Sequence, residues 1–174
     1  PEVLEFVSTW SAHGFGSVLL FLLFGTILTL VLQSSSATMA ITLIMLSMGW
    51  IPFGMACAMV LGENIGTTIT ANIAASIGNT QAKRAAMSHT IFNVFGVLWA
   101  LLLFNPFLRL VGLVTEKLFG LPNPAAEGFS VPGPTSPEGT AALYGLSMLH
   151  TLFNLTNTLV LVWFTGWIGK AVSY

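Results

Sequence analysis

The stretch Leu32-Gln33-Ser34-Ser35-Ser36-Ala37-Thr38 sets an amide and three consecutive hydroxyls between two apolar runs, residues 17–32 and 37–48. Hydrocarbon offers such groups no hydrogen-bond partner, so a polar knot there needs a protein or watery surrounding. The composition says which setting applies. Of 174 residues, 55% are hydrophobic and 6% charged, and the mean hydropathy is +0.86. A soluble domain carries about 25% charged residues. The chain therefore reads as an all-α, polytopic membrane protein, a single membrane domain over residues 1–174.

Charge placement sharpens this. No Asp, Glu, Lys or Arg occurs in residues 6–62, 64–82, 85–108 or 139–169. Glu63 is the one acid set within long uncharged sequence. The net charge of -1 gives no basic field to collect phosphates in bulk, so no nucleic-acid partner is expected. The single cysteine, Cys57, rules out an intrachain disulfide and reads as small apolar filler. No basic, apolar and cleavage-site succession marks a signal peptide, and the opening Pro1 reads as the start of a piece of a longer protein.

Working outward from the polar knot, residues 1–16 form a mixed lead-in with Trp10 and His13. Residues 17–32 and 37–48 flank the knot, and Gly49-Trp50-Ile51-Pro52 closes the second run. Apolar runs 52–62 and 67–77 flank Gly62-Glu63-Asn64-Ile65-Gly66. At 1.5 Å per residue the first run is about 24 Å long and the others about 17 Å, each short of the ~20 residues that span a bilayer. Residues 17–50 are therefore expected to form a re-entrant hairpin with its tip at Gln33 to Ser36. Residues 52–78 are expected to form a discontinuous helix broken at Gly62–Gly66, where two glycines permit unusual backbone angles. Full spans are expected at 81–104, ended by Asn105-Pro106, and at 141–168, with Trp163 and Trp167 placed like interfacial anchors. Between them, 105–140 supplies an amphipathic stretch and a Pro/Gly-rich loop. Lys83 and Arg84 precede one span and Lys170 follows the other, so these ends share a side, taken as cytoplasmic, with Glu127 and Glu138 facing out.

Breaks of this kind have a chemistry. A half-helix starting near Ser34 points open N–H groups and a positive dipole end at an anion, whereas one ending at Leu32 offers carbonyl oxygens to a cation. Transporters use this pairing near the membrane midplane. Thr26, Thr29 and Gln33 share one helix face; so do Ser35, Thr38 and Thr42, and so do Thr68, Asn72 and Ser76. Hydroxyls and amides donate and accept, so they suit an oxyanion and a hard cation together. No Lys or Arg stands there to neutralise an anion, which argues that the anion enters with its cations. Against this, Thr26, Thr29 and Thr42 taken singly fit hydrogen bonding back to their own helix, and Gly62-x-x-x-Gly66 fits close helix packing. A weak echo, His89-Thr90-Ile91-Phe92-Asn93 and His150-Thr151-Leu152-Phe153-Asn154, sets His and Asn four residues apart twice; a structural role fits both histidines best.

Gln33 to Thr38, followed by Gly62-Glu63-Asn64-Ile65-Gly66-Thr67-Thr68, resembles the sodium/phosphate cotransporter family of the type II-like, largely bacterial group. Ala82 to Ala86, His89 to Gly96 and His150 to Asn157 extend the resemblance over nearly the whole chain. The family carries two inverted repeats, and one copy of each motif is present here, so the chain looks like the C-terminal half of a transporter. The resemblance implies that Gln33, Ser34, Ser35, Ser36, Thr38, Asn64, Thr67 and Thr68 line the substrate and ion site. Gln33, Ser34, Ser35 and Asn64 would hold sodium, with Glu63, Asn72 and Asn93 as further candidates. Glu63 departs from the family pattern, which has a small residue there.

The expected function is sodium-coupled symport of inorganic phosphate across the cytoplasmic membrane, with sodium as coupling ion, no cofactor and no enzymatic activity. Expected partners are the missing first repeat, membrane lipids and a second copy of the chain. The rivals are a transporter of another oxyanion or carboxylate, a phosphate sensor that does not transport, and an intramembrane serine hydrolase. The last lacks a Gly-x-Ser-x-Gly-like elbow around its serines.

Overall fold

In the computed structural model, residues 5, 9–10 and 14–173 are described; His13 lies outside them. Among the described residues the chain is all helical, with no strand. From Phe15 onward, among the described residues, the helices are α1 (Phe15–Leu32), α2 (Ser35–Ser47), α3 (Phe53–Ser76), α4 (Thr80–Leu102), α5 (Phe104–Phe119), α6 (Pro137–Leu161) and α7 (Thr165–Ala171), and Glu5, Thr9 and Trp10 ahead of them are helical too. A single 3₁₀ turn, Val162–Phe164, joins the last two.

The helix ends follow from local chemistry. Gln33 closes α1 in the left-handed region, φ 53°, and Ser34 caps α2 by accepting from the Ala37 N–H at 3.2 Å. Gly49 ends α2 at φ 69°, with Trp50 N–H reaching back to the Met45 carbonyl at 2.9 Å. Asn79 caps α4 through Ala82 N–H at 2.9 Å, and Ser136 caps α6 through Gly139 N–H at 2.8 Å, ahead of Pro137 in the first turn.

The membrane character stands. Three helical segments, Phe15–Leu32, Thr80–Leu102 and Pro137–Ala171, are long and apolar enough to cross a bilayer. Phe15–Leu32 is one more than the two full spans expected, because its helix starts two residues ahead of the apolar run and reaches 18 residues. The span expected at 81–104 ends at Leu102, and Pro106 sits in the first turn of α5, where its missing N–H costs nothing. The span expected at 141–168 begins earlier, at Pro137, and its regular helix stops at Leu161.

α3 is the hub and packs against α1, α2, α4 and α6. Its first half is buried on every side from Ala56 through Glu63, as a core helix should be. The expected break at Gly62–Gly66 does not occur: α3 runs unbroken from Phe53 to Ser76. The glycines serve close approach instead. A Cβ on Gly62 would run into the Leu22 carbonyl of α1, and one on Gly66 would come within 2.7 Å of Thr29 Cβ. Gly25 of α1 answers them, facing the Met59 backbone. This small-residue seam lets α1 and α3 pack backbone to backbone.

Candidate functional site

Two residues, Gln33 and Ser34, separate α1 from α2, so the polar knot is the tip of a tight helical hairpin. Below the tip the two arms are tied by the Thr29 hydroxyl, which donates to Thr38 Oγ1 at 3.1 Å. Both threonines are buried. One turn further along α2, the Thr42 hydroxyl is shared between the Thr38 carbonyl and Glu63 Oε1 of α3, each at 2.9 Å. The Thr26 hydroxyl is likewise shared between the Leu22 carbonyl and the Gly62 carbonyl, at 2.9 and 3.0 Å. The threonines of α1 and α2 thus converge on the Gly62–Glu63 segment. Glu63 is 3% exposed, and no basic side chain pairs with it among the described residues.

The α3 face and the hairpin tip differ in what they offer. On α3, Asn64 Nδ2 donates to the Val60 carbonyl at 2.9 Å, and the Thr67 and Thr68 hydroxyls donate to the Glu63 and Ile65 carbonyls at 2.8 and 2.7 Å. Those donors are spent inside the helix, which leaves Asn64 Oδ1 and the threonine lone pairs as acceptors. With the Glu63 carboxylate beside them, this face of α3 is rich in oxygen acceptors and suits a hard cation. The hairpin tip is the opposite. Gln33 and Ser36 are exposed, Ser34 and Ser35 half-buried. The side chains of Gln33, Ser35 and Ser36 take no partner among the described residues, and the first-turn N–H groups of Ser35 and Ser36 are open. Amide, hydroxyl and backbone donors at a helix start suit an oxyanion.

Not every candidate joins this group. Asn72 ties α3 to α4, donating to the Thr68 carbonyl at 2.8 Å and to Thr90 Oγ1 at 2.6 Å. Asn93, buried, donates to the His89 carbonyl at 3.2 Å. In the echo motif Asn154 Nδ2 repeats that bond to the His150 carbonyl at 2.9 Å, so in both pairs the asparagine side chain meets the histidine backbone and not its ring. Sequence reasoning passed over Asn157, which is fully buried and donates to the Phe92 carbonyl at 2.8 Å across the α4–α6 contact. Its signal was positional: Asn157 stands where Gly96 stands in the earlier copy of the echo, and the two residues pack against each other.

The family profile described as Na+/Pi-cotransporter matches residues 7–121, a stretch that holds the hairpin and α3. The chain belongs to this family. YqeW of Bacillus subtilis (strain 168), an uncharacterized protein, is 42% identical over 118 residues, covering 68% of this chain and 34% of its own. A protein of Escherichia coli (strain K12) named putative inorganic phosphate export protein YjbB is 27% identical over 147 residues, 84% of this chain and 23% of its own. The human sodium-dependent phosphate transport protein 2C is 38% identical over 102 residues, 53% of this chain and 17% of its own. The chain thus spans about a third or less of the length of these relatives. No solved structure gives a significant match. The family is one of transporters, in keeping with the membrane character of the helices.

Proposed function

We propose that this chain is one half of a sodium-coupled transporter of inorganic phosphate in the cytoplasmic membrane, completed by a companion repeat in the longer protein. The observation that supports the reading is a helical hairpin with unpartnered donors at its tip, Gln33 to Ser36, whose second arm is tied lower down to the acceptor-bearing α3 by the Thr42–Glu63 hydrogen bond. In this reading Gln33, Ser35, Ser36 and the open N–H groups hold the phosphate. Asn64, Thr67, Thr68, Thr38 and Glu63, with Ser34 and Gln33, supply oxygens to sodium. The hairpin is re-entrant, and the paired repeat mirrors it. No covalent chemistry is assigned to the serines, and the chain is not an enzyme.

The test is uptake of radiolabelled phosphate into proteoliposomes with and without an inward sodium gradient. It compares the chain alone, the chain joined to its companion half, and the joined protein carrying Gln33→Ala or Ser35→Ala. Sodium-driven uptake by the joined protein, lost in the variants and absent from the chain alone, is the expected result. A folded joined protein that moves no phosphate would remove the assignment.

A second reading concerns direction. The E. coli relative is named for phosphate export, whereas the human one is named for sodium-dependent transport. Loading the vesicles with phosphate and following its exit under both gradient directions separates import from export.

A further inference from the structure

At the end of the molecule where α4 begins and α7 finishes, a groove of about 410 Å³ opens between the two helices. Ser88, His89 and Phe92 form one wall, and Thr165, Ile168 and Gly169 the other. Arg84 lies one turn before Ser88 on the same face of α4. Its guanidinium crosses to the far wall, where Nη2 donates to the Ser173 carbonyl at 3.1 Å. Lys170 follows Gly169 directly, and Lys83 precedes Arg84. Three of the five basic residues thus stand on the two helices that wall the groove, and the Arg84 guanidinium bridges from one to the end of the other. The loop acids Glu127 and Glu138 lie at the opposite end of α6, a helix of 25 residues and about 37 Å. No acid offsets the basic group among the described residues of α4 and α7.

The groove faces outward and carries the marks of the headgroup level. Trp163 and Trp167, beside its α7 wall, are 84% and 78% exposed, as aromatic side chains are at a membrane interface. Inside, the Ser88 hydroxyl and the His89 ring have no hydrogen-bond partner among the described residues, while Phe92 and Ile168 supply apolar wall. A ligand that fits needs an apolar tail for the walls, ester or hydroxyl oxygens for Ser88 and His89, and an anionic group for Arg84 and Lys170. We infer that this groove is a binding site for one anionic phospholipid, its phosphate at the Arg84–Lys170 mouth and an acyl chain along Phe92 and Ile168. A zwitterionic lipid satisfies the walls but not the mouth. Each basic side chain near a membrane surface favours an anionic lipid by about fivefold, so two give roughly thirtyfold. The groove is lined by residues of α4 and α7 and by none of the hairpin tip, and the inference does not depend on what the protein transports.

The experiment is native mass spectrometry of the full-length protein that contains this chain, titrated with phosphatidylglycerol or phosphatidylcholine. Phosphatidylglycerol is expected to bind roughly thirtyfold tighter. Arg84→Ala with Lys170→Ala should bring it to the phosphatidylcholine level, and Arg84→Lys should restore most of the preference. Gly169→Leu should weaken both lipids by filling the groove, since a Cβ at Gly169 meets nothing within 4 Å and the fold has no reason to suffer. Excess inorganic phosphate should leave bound phosphatidylglycerol in place. Equal binding of the two lipids, a preference that survives the double substitution, or displacement by inorganic phosphate would each overturn the inference.

Discussion

The Thr42 hydroxyl donates to Glu63 Oε1 at 2.9 Å, joining the second arm of the hairpin to the centre of α3. Both residues are buried, and among the described residues no cation shares the carboxylate. A buried acceptor that loses its donor costs about 1–3 kcal/mol. Thr42→Val keeps the shape and removes the donor, so it should lower stability by about that amount in detergent-solubilised protein. Glu63→Gln keeps an oxygen to accept from Thr42 and should cost less. Thermal unfolding of both variants checks the order; a milder effect for Thr42→Val would show that this hydrogen bond does not hold the hairpin to α3.

Gln33 is the one residue other than glycine with positive φ among the described residues. The left-handed region costs an L-residue about 1–2 kcal/mol, and glycine loses about 0.5–1 kcal/mol in chain entropy. Gln33→Gly is therefore expected to raise stability by roughly 0.5–1 kcal/mol. Phosphate transport should fall in the same variant, because the side-chain amide is gone. Strain retained at a working residue has this signature. Loss of both stability and transport would mean that Gln33 is there to hold the turn.

The seam between α1 and α3 gives a third prediction. Gly62→Val places a branched side chain against the Leu22 carbonyl and the Thr26 N–H and should cost at least about 3 kcal/mol or abolish folding. Gly54→Ala, whose Cβ meets only Leu108 Cδ2 at 3.5 Å, should be nearly neutral. Yield and unfolding midpoint distinguish them. Equal behaviour would place the α1–α3 contact elsewhere.

These residues also show what could be read from sequence. The turn at Gln33–Ser34 was legible because an amide and hydroxyls between apolar runs leave few alternatives, and Ser34 carries its own capping oxygen. The continuity of α3 was not. Gly62 and Gly66 look the same whether they open a helix or admit a neighbour, and the decision rests on Leu22, Thr26 and Thr29, some forty residues upstream. Glu63 was legible as an oddity, but its hydroxyl donor was not, because Thr42 sits on a different helix. Pro106 reads as a stop, yet the same residue is at home in the first turn of the next helix. The membrane class came from composition alone and needed no tertiary information.

Ser34 offers a smaller test of the hairpin. Ser34→Ala removes the cap on Ala37 N–H and should cost about 1 kcal/mol. Ser34→Asp keeps an accepting oxygen and should retain that stability, while setting a negative charge beside the Gln33, Ser35 and Ser36 donors proposed to hold the phosphate. It should therefore weaken phosphate binding more than Ser34→Ala does. Unfolding midpoints and phosphate titrations on the two variants separate the capping role from the binding role.

The most direct measurement is the affinity of the transporter formed with its companion half for phosphate, determined at equilibrium with sodium and with an equal concentration of a large organic cation. If donors at the hairpin tip and acceptors on α3 form one site, sodium should tighten phosphate binding by about tenfold or more, and phosphate should tighten sodium binding by the same factor. Gln33→Ala should abolish the coupling. An affinity for phosphate that is the same in both cations would contradict a shared site.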